Sequence, residues 1–502
     1  MEIDRREVLR TGAAVVAAGS LIGLGGGGAD AAARSHSAGE GVEPAAWREL
    51  RRRLSPAARL HRPGGAEYAA RATPDNRRYA SVRPAGVLAC STEGDVAAAI
   101  RWCAKHGVPF APRSGGHNYA GYSTSPGLVI SLRALNEVVP QGQRLRLGGG
   151  ATNSDVYAAR AADLYFPGGR CPGVGVAGLT LGGGLGFNDR KWGLTCDRLT
   201  ETRVVLADGT LVRAADDENA DLFWACRGGA GGNFGINTGF VFDAVSVARL
   251  RATVFDLTFA LDAGVEVMEE LRHILDEDRD NDFDVRIGFK HAGDGTTSLW
   301  LLGQRIGEES ALRGLFTPLL RLRPTRTVIE ERGFWSAQDY LMEPVGAEDA
   351  YASKSLVPDR WPTPDTVAAV ADWTRGWQPG PGRATGYVTL FAMGGDSAAP
   401  RPDETAYPHR GATFVIDVGT HWKPGTPPTE VRALLGQTRT AHHMLRRRLD
   451  TRAAYVNFPD PDLPDWQHAY YGRNYDRLVA VKRRYDPAGL FRYPQAVGRP
   501  RV

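Results

Sequence analysis

Cysteine is scarce in this chain. Cys90, Cys103, Cys171, Cys196 and Cys226 are too few and too scattered for a disulfide framework, and no two stand in a Cys-x-x-Cys pair. No zinc site or other metal is therefore expected. Cys90 and Cys103 lie among apolar residues and read as small core side chains. An excess of one charge is missing too: 61 basic residues face 57 acidic ones, a formal net charge of +4, which leaves no footprint for nucleic acid or an anionic membrane. The one dense basic run, Arg446-Arg447-Arg448, lies between leucines and reads as a solvated helix surface. There is no internal repeat, no long low-complexity tract, and no apolar run both long enough and free enough of glycine to span a membrane comfortably. What remains is a chain of 502 residues, 42% hydrophobic, with material for a large core and for two domains.

Residues 1–33 read as an address and not as structure. Asp4-Arg5-Arg6-Glu7-Val8-Leu9-Arg10 precedes an apolar stretch from Gly12 to Gly27, and small residues ending Ala29-Asp30-Ala31-Ala32-Ala33 follow. Adjacent arginines, apolar stretch and an Ala-x-Ala site in that order predict a twin-arginine export signal and a secreted protein. A disordered basic N-terminus is the plainer alternative.

Glycine, by contrast, is concentrated where reactive side chains stand. His117 sits in Pro112-Arg113-Ser114-Gly115-Gly116-His117-Asn118-Tyr119, and Cys171 in Phe166-Pro167-Gly168-Gly169-Arg170-Cys171-Pro172-Gly173-Val174-Gly175-Val176-Ala177-Gly178. Loops of this composition let backbone approach a flat, phosphate-bearing cofactor closely, and consecutive N–H groups form a concavity suited to pyrophosphate. Each loop also offers a nucleophile that a flavin ring can alkylate. Taken singly, a Gly-Gly-His turn or a cysteine at a bend is more often ordinary structure; the two full strings together favour a flavin.

The wording resembles the berberine-bridge-enzyme-like family of FAD-linked oxidases. The likeness continues through Leu179-Thr180-Leu181-Gly182-Gly183-Gly184-Leu185-Gly186, Asp221-Leu222-Phe223-Trp224-Ala225-Cys226-Arg227-Gly228-Gly229 and Gly232-Asn233-Phe234-Gly235. It resumes at Tyr470-Tyr471-Gly472-Arg473-Asn474-Tyr475-Asp476-Arg477-Leu478 and Tyr485-Asp486-Pro487. The resemblance implies one FAD attached twice, to His117 and to Cys171. It implies a cofactor site that also includes Arg113, Ser114, Gly115, Gly116, Tyr122, Val174, Gly175, Gly178, Ile236, Asn457 and Gln495.

The pattern of elements fits an α+β protein. A strand at Ala85–Cys90, a helix capped near Thr92 and running over Val96–His106, and a second strand at Val108–Ala111 place His117 beyond a strand terminus. Further strands are predicted at Leu128–Leu132, Arg144–Leu147, Arg203–Leu206 and Phe240–Asp243, with helices at Ser154–Ala162 and around Gly178–Gly186. From about Ser246 the glycine motifs stop and strands alternate with helices. The family resemblance implies a split FAD-binding domain of the vanillyl-alcohol-oxidase type over residues 64–245, a substrate domain with an antiparallel sheet over 246–450, and a segment 451–502 that returns to the FAD domain.

The catalytic base is less clearly written. Alcohol-oxidising relatives carry Asn-Tyr where this chain has Asn457-Phe458, and a phenyl ring cannot take a proton. Alternation in Ala454-Tyr455-Val456-Asn457-Phe458 predicts Tyr455 and Asn457 on one strand face and Phe458 on the other. Tyr455 and Asp417, the latter on a strand over Ala412–Thr420 with His421 just beyond, are the catalytic candidates. At Val174 the resemblance implies a position beside the flavin face, where a compact side chain leaves room for oxygen. The expected activity is hydride transfer from a CH–OH carbon of a bulky sugar or other metabolite to FAD, with O2 as acceptor and hydrogen peroxide as product. A CH–N oxidase and an exported flavin-binding protein without turnover are the alternatives. Trp335, Trp361, Trp373, Trp377 and Trp422 could stack on sugar rings, and core packing is the simpler reading of each.

Overall fold

The computed structural model describes residues 42–343 and 349–498; the export signal expected over residues 1–33 lies outside them. The first sheet carries the strand order Arg59–His61, Gly86–Ala89, Leu128–Ser131, Phe110–Arg113, the last three parallel to one another. Helix Glu93–His106 connects two of them. Its start is set by a capping box in which Thr92 and Asp95 satisfy each other's backbone N–H groups, and Gly107, at φ 64°, ends it. The helix buries Val96, Ala99, Ile100, Trp102 and Cys103 against the sheet, so Cys90 and Cys103 are core side chains as the sequence suggests.

A second, antiparallel sheet orders Val138–Gln141, Arg144–Gly148, Ile236–Asp243, Leu199–Val205 and Leu211–Ala215. Two helices are shorter than the sequence predicts. The one expected over Ser154–Ala162 runs Asn153–Ala158 and passes into a single 3₁₀ turn. The one expected around Gly178–Gly186 is Val176–Leu181, because Gly183 and Gly184 take φ 121° and 95°, which a right-handed helix cannot contain.

The third sheet has seven antiparallel strands in the order Arg326–Gly333, Arg251–Phe259, Thr297–Ile306, Phe283–His291, Thr385–Ala392, Phe414–Trp422, Ala350–Leu356. One face packs Leu257, Ile287, Leu301, Val388, Leu390, Ile416 and Val418 into one apolar core with residues of helices Gly264–Glu277, Pro364–Gly376 and Pro428–Arg448. Side chains alternate along a strand, so the other face of the last three strands carries Tyr351 and Ser353, Tyr387 and Phe391, and Asp417, Gly419 and His421. Trp377 and Trp422 are buried together on the helix side, Trp373 packs beside them, and Trp361 meets Phe414 edge-on. Trp335 packs against Tyr165 and Phe334.

The C-terminal residues Tyr470, Tyr471, Leu478, Val481 and Tyr485 share a core with Leu145, Leu147, Phe223 and Phe240. Buried Lys482 ties this segment down by donating to the carbonyls of Asn233 and Phe491 and to Asp486, each at 2.6 Å. Among the described residues no helix is long and apolar enough to cross a membrane.

Candidate active site

Strand Phe110–Arg113 ends where the first glycine loop begins. Arg113 is buried, and its guanidinium donates to the carbonyls of Ser123 (2.8 Å) and Arg71 (2.8 Å), so it clamps the loop onto neighbouring backbone. Burial lowers its pKa to about 10, which still leaves it cationic at neutrality. Gly116, at φ 87°, turns the chain so that His117 meets Asp75, with Nδ1 3.2 Å from Oδ2.

The second loop is strapped to the region around residue 153. The Asn153 side-chain amide donates to the Cys171 carbonyl at 2.9 Å, and the backbone N–H groups of Asn153 and Ser154 donate to Val174 and Pro172, each at 3.1 Å. The two loops touch through glycines. A Cβ on Gly115 would collide with the Gly173 oxygen and the Gly175 nitrogen, and one on Gly175 would collide with Gly115 and Ser114. A Cβ on Gly173 would sit 2.8 Å from His117 Nε2. A cavity of about 380 Å³ opens at this junction, lined by Asp75, Gly115, His117, Thr152, Ser154 and Gly173 among others.

His117 and Cys171 share surroundings. The Cys171 thiol donates to Glu343 Oε2 at 2.6 Å, and the carboxylates of Asp75 and Glu343 act electrostatically on both residues. Burial pushes the His117 pKa down, so the imidazole is neutral, and pushes the Cys171 thiol up.

The polar face of the seven-stranded sheet stands opposite. Tyr351 donates to Asp75 at 3.0 Å and meets Tyr119 edge-on at 5.1 Å; Tyr119 in turn stacks on Phe458 at 5.2 Å. Asp417 is buried and accepts from the Ser353 hydroxyl at Oδ1 and, at 3.4 Å, from the Tyr387 hydroxyl at Oδ2. Gly419 makes this possible, since any Cβ there would strike the Tyr387 hydroxyl. Burial raises the Asp417 pKa to about 7, the two hydroxyls opposing it only in part.

Residues 454–458 are not a strand. Phe458 N–H donates to the Tyr455 carbonyl at 3.0 Å in a turn, which replaces the expected alternation and leaves Phe458 against Tyr455, Tyr119 and Phe391. The Tyr455 hydroxyl accepts from the Gly184 N–H (2.9 Å) and from Asn457 (3.1 Å), and Asn457 also donates to the Leu179 carbonyl at 2.8 Å. Together they pin the glycine run that follows helix Val176–Leu181. Gln495 is buried and donates to the Asp460 carbonyl at 2.8 Å. The Ile236 side chain lies in the core beneath the first sheet with Ile100 and Phe491. Gly178 is exposed, with open space at its Cβ, and Val174 is half-buried.

A family model described as FAD binding domain matches residues 84–215, and one described as berberine and berberine like matches residues 454–498. The uncharacterized FAD-linked oxidoreductase YgaK of Bacillus subtilis is 31% identical over 423 residues, covering 82% of this chain and 90% of that protein. The chain belongs to the berberine-bridge-enzyme-like family of FAD-linked oxidases. A xylooligosaccharide oxidase of Thermothelomyces thermophilus is 30% identical over 464 residues, 86% of this chain and 90% of that protein. Among solved structures, the xylooligosaccharide oxidase from Myceliophthora thermophila C1 in complex with xylobiose superposes with a TM-score of 0.78 at 27% identity, over 91% of this chain and all of that one. The protein is thus an FAD-linked oxidoreductase with the α+β fold expected of it.

The residues present fit FAD. Ser114 Oγ, Tyr122 OH, Thr124 Oγ1 and Tyr79 OH are buried along the first glycine loop without a hydrogen-bond partner among the described residues, and Tyr122 stands 4.9 Å from Tyr493. Buried hydroxyls left unmatched call for a polar ligand. The glycine contacts supply close backbone approach beside them.

Sequence reasoning missed Asp75, Tyr119, Glu343, Tyr351, Ser353 and Tyr387. Tyr119 stood inside the quoted His117 motif, and the alternation Tyr387-x-Thr389-x-Phe391 could have flagged one sheet face. Asp75 and Glu343 carry no local signal at all.

Proposed function

We propose that the protein removes hydride from a CH–OH carbon of a bulky sugar or similarly hydroxylated metabolite, with FAD tethered to both His117 and Cys171 and dioxygen as final acceptor, giving hydrogen peroxide. The observation that carries this reading is the buried carboxyl of Asp417, whose pKa of about 7 suits a general base at neutral pH. It lies on an aromatic face that leads through Tyr351 and Asp75 to His117. The 30% identity to a xylooligosaccharide oxidase supports a sugar substrate.

FAD, when bound, supplies the two-electron acceptor. Asp417 takes the substrate hydroxyl proton at Oδ2, while Ser353 holds Oδ1 and Tyr387 limits rotation of the carboxylate. Tyr119, Tyr351, Phe391 and Phe458, packed ring against ring, form the aromatic wall a sugar ring would meet in this scheme. Tyr455, with both hydrogen bonds directed at holding Gly184 and Asn457, is a positioning residue in this scheme. Residues 64–245 with 451–498 hold the cofactor, and 246–450 supply the substrate wall. Residues 1–33 direct the folded protein out of the cell by the twin-arginine route.

Mixing the purified protein anaerobically with oligosaccharides, simple alcohols and amines, and following flavin bleaching, tests the reading. Bleaching by oligosaccharides, with peroxide released once air is admitted, is expected. Bleaching by amines alone would make it a CH–N oxidase, and none at all a flavin-binding protein. Replacing Arg5 and Arg6 by lysine should leave an unexported precursor, because the pair is recognised by a receptor and not as charge.

A further inference from the structure

Among the described residues the thiol proton of Cys171 has one acceptor, Glu343 Oε2, at 2.6 Å. That carboxylate is held from both sides by the residue preceding the cysteine. Glu343 N–H donates to the Arg170 carbonyl at 3.0 Å, and Arg170 Nη2 stands 3.2 Å from Oε1. Backbone and side chain of Arg170 therefore fix the position and rotation of the carboxylate and leave its second oxygen to the thiol. Among the other four cysteines, Cys196 also donates to a carboxylate, but at 3.5 Å, and that carboxylate, Asp197, is already engaged by Arg410 at 2.6 Å.

We propose that Glu343 is the general base that takes the thiol proton of Cys171 as its sulfur bonds to the flavin. The proposal rests on the two-point attachment put forward above. Thiolate, not thiol, is the nucleophile. Burial, with Glu343 and Asp75 adding to it and only Arg170 opposing, keeps the thiol protonated at neutral pH, so the sulfur needs a base within reach. In the bonding step the S–H bond breaks, its proton goes to Glu343 Oε2, and the sulfur's electron pair forms the S–C bond at a ring carbon. The hydrogen on that carbon leaves as a proton. The two electrons left behind pass to dioxygen, which with the two protons becomes hydrogen peroxide.

The test uses full-length protein incubated with FAD under air and reads flavin retained on the chain after acid denaturation, by mass and by fluorescence in a denaturing gel. His117→Ala isolates the sulfur link and should retain flavin. His117→Ala with Glu343→Gln should acquire it ~10²-fold more slowly at pH 7, the lower end of a general base's contribution, and recover speed at alkaline pH as the thiol ionises unaided. Glu343→Gln alone should keep flavin through His117, which shows that the fold and the binding site survive. Equal rates in His117→Ala with and without Glu343→Gln, or a slow rate with no alkaline recovery, would overturn the role of Glu343. Flavin released from His117→Ala itself would instead remove the sulfur link on which the proposal stands.

Discussion

Tyr351 and His421 lie opposite each other on neighbouring strands and stack, with ring centroids 5.1 Å apart and planes 22° from parallel. The pair links two groups of residues in the candidate site. Tyr351 reaches Asp75 and through it His117, while His421 meets Tyr387, whose hydroxyl touches Asp417. Burial lowers the pKa of His421, with Lys290 adding to it, so the imidazole itself brings no positive charge toward Asp417 at neutral pH.

Asp417→Asn should cut the rate of flavin reduction by ~10²–10⁴-fold, the usual contribution of a general base. In the unaltered protein kcat/KM should rise with pH through about 7, as Asp417 gives up its proton, and that limb should vanish in the variant. Stopped-flow reduction across pH 5–9 checks both, and a variant that keeps the limb would remove Asp417 from the proton path.

The same group makes a stability prediction with a definite sign. The folded protein holds the Asp417 proton up to a pH of about 7, whereas an unfolded aspartate releases it near 3.8. Between those values the folded state binds more protons, so stability falls as pH rises through the window, by at most ~4 kcal/mol at 1.36 kcal/mol per pKa unit. Asp417→Asn should lose that fall. Urea midpoints at pH 5 and pH 8 should converge in the variant relative to the parent, and parallel curves would refute the linkage.

Gly115→Ala and Gly178→Ala separate the two glycines that the motifs treat alike. At Gly115 the new methyl would collide with the backbone of residues 173–175, an overpacking cost of roughly 1–3 kcal/mol together with weaker FAD binding. At Gly178, inside a helix and facing open space, alanine should be neutral or stabilising by up to ~1 kcal/mol. Thermal melts with and without added FAD report both effects.

Val174→Leu should leave anaerobic reduction unchanged and slow reoxidation by O2 about tenfold, a barrier increase of ~1.4 kcal/mol. Val174 follows the Cys171 bend, and its N–H donates to the Cys171 carbonyl at 3.2 Å, so extra bulk there enters beside Cys171. Unchanged reoxidation would place the oxygen path elsewhere.

The glycine loops and the strand-helix-strand unit that delivers His117 were legible because their signals are local: a capping box, a strand terminus, consecutive glycines. Asp417 was singled out by its place on a predicted strand, and it does lie on the strand Phe414–Trp422. Its partners were not, since Ser353 and Tyr387 reach it from other strands, and Asp75 reaches Tyr351 across 276 residues of chain. Alternation misled at Ala454–Phe458, where tertiary bonds from Ser355 and Gly184 hold Tyr455 in a turn that its strand-like pattern does not show. Glu343 belongs to the same class: nothing near it in sequence marks a carboxylate that Arg170 positions.

The grip of Tyr455 and Asn457 on the Leu179–Gly184 run also dictates an order of events during biosynthesis. Ribosomes complete both glycine loops hundreds of residues before they make Tyr455, Asn457 and Lys482, the residues that brace Gly184, Leu179 and Asn233. A nascent chain therefore carries His117 and Cys171 early on an unbraced frame. Truncations that remove residues 454–498 should therefore yield colourless protein even with His117 and Cys171 intact.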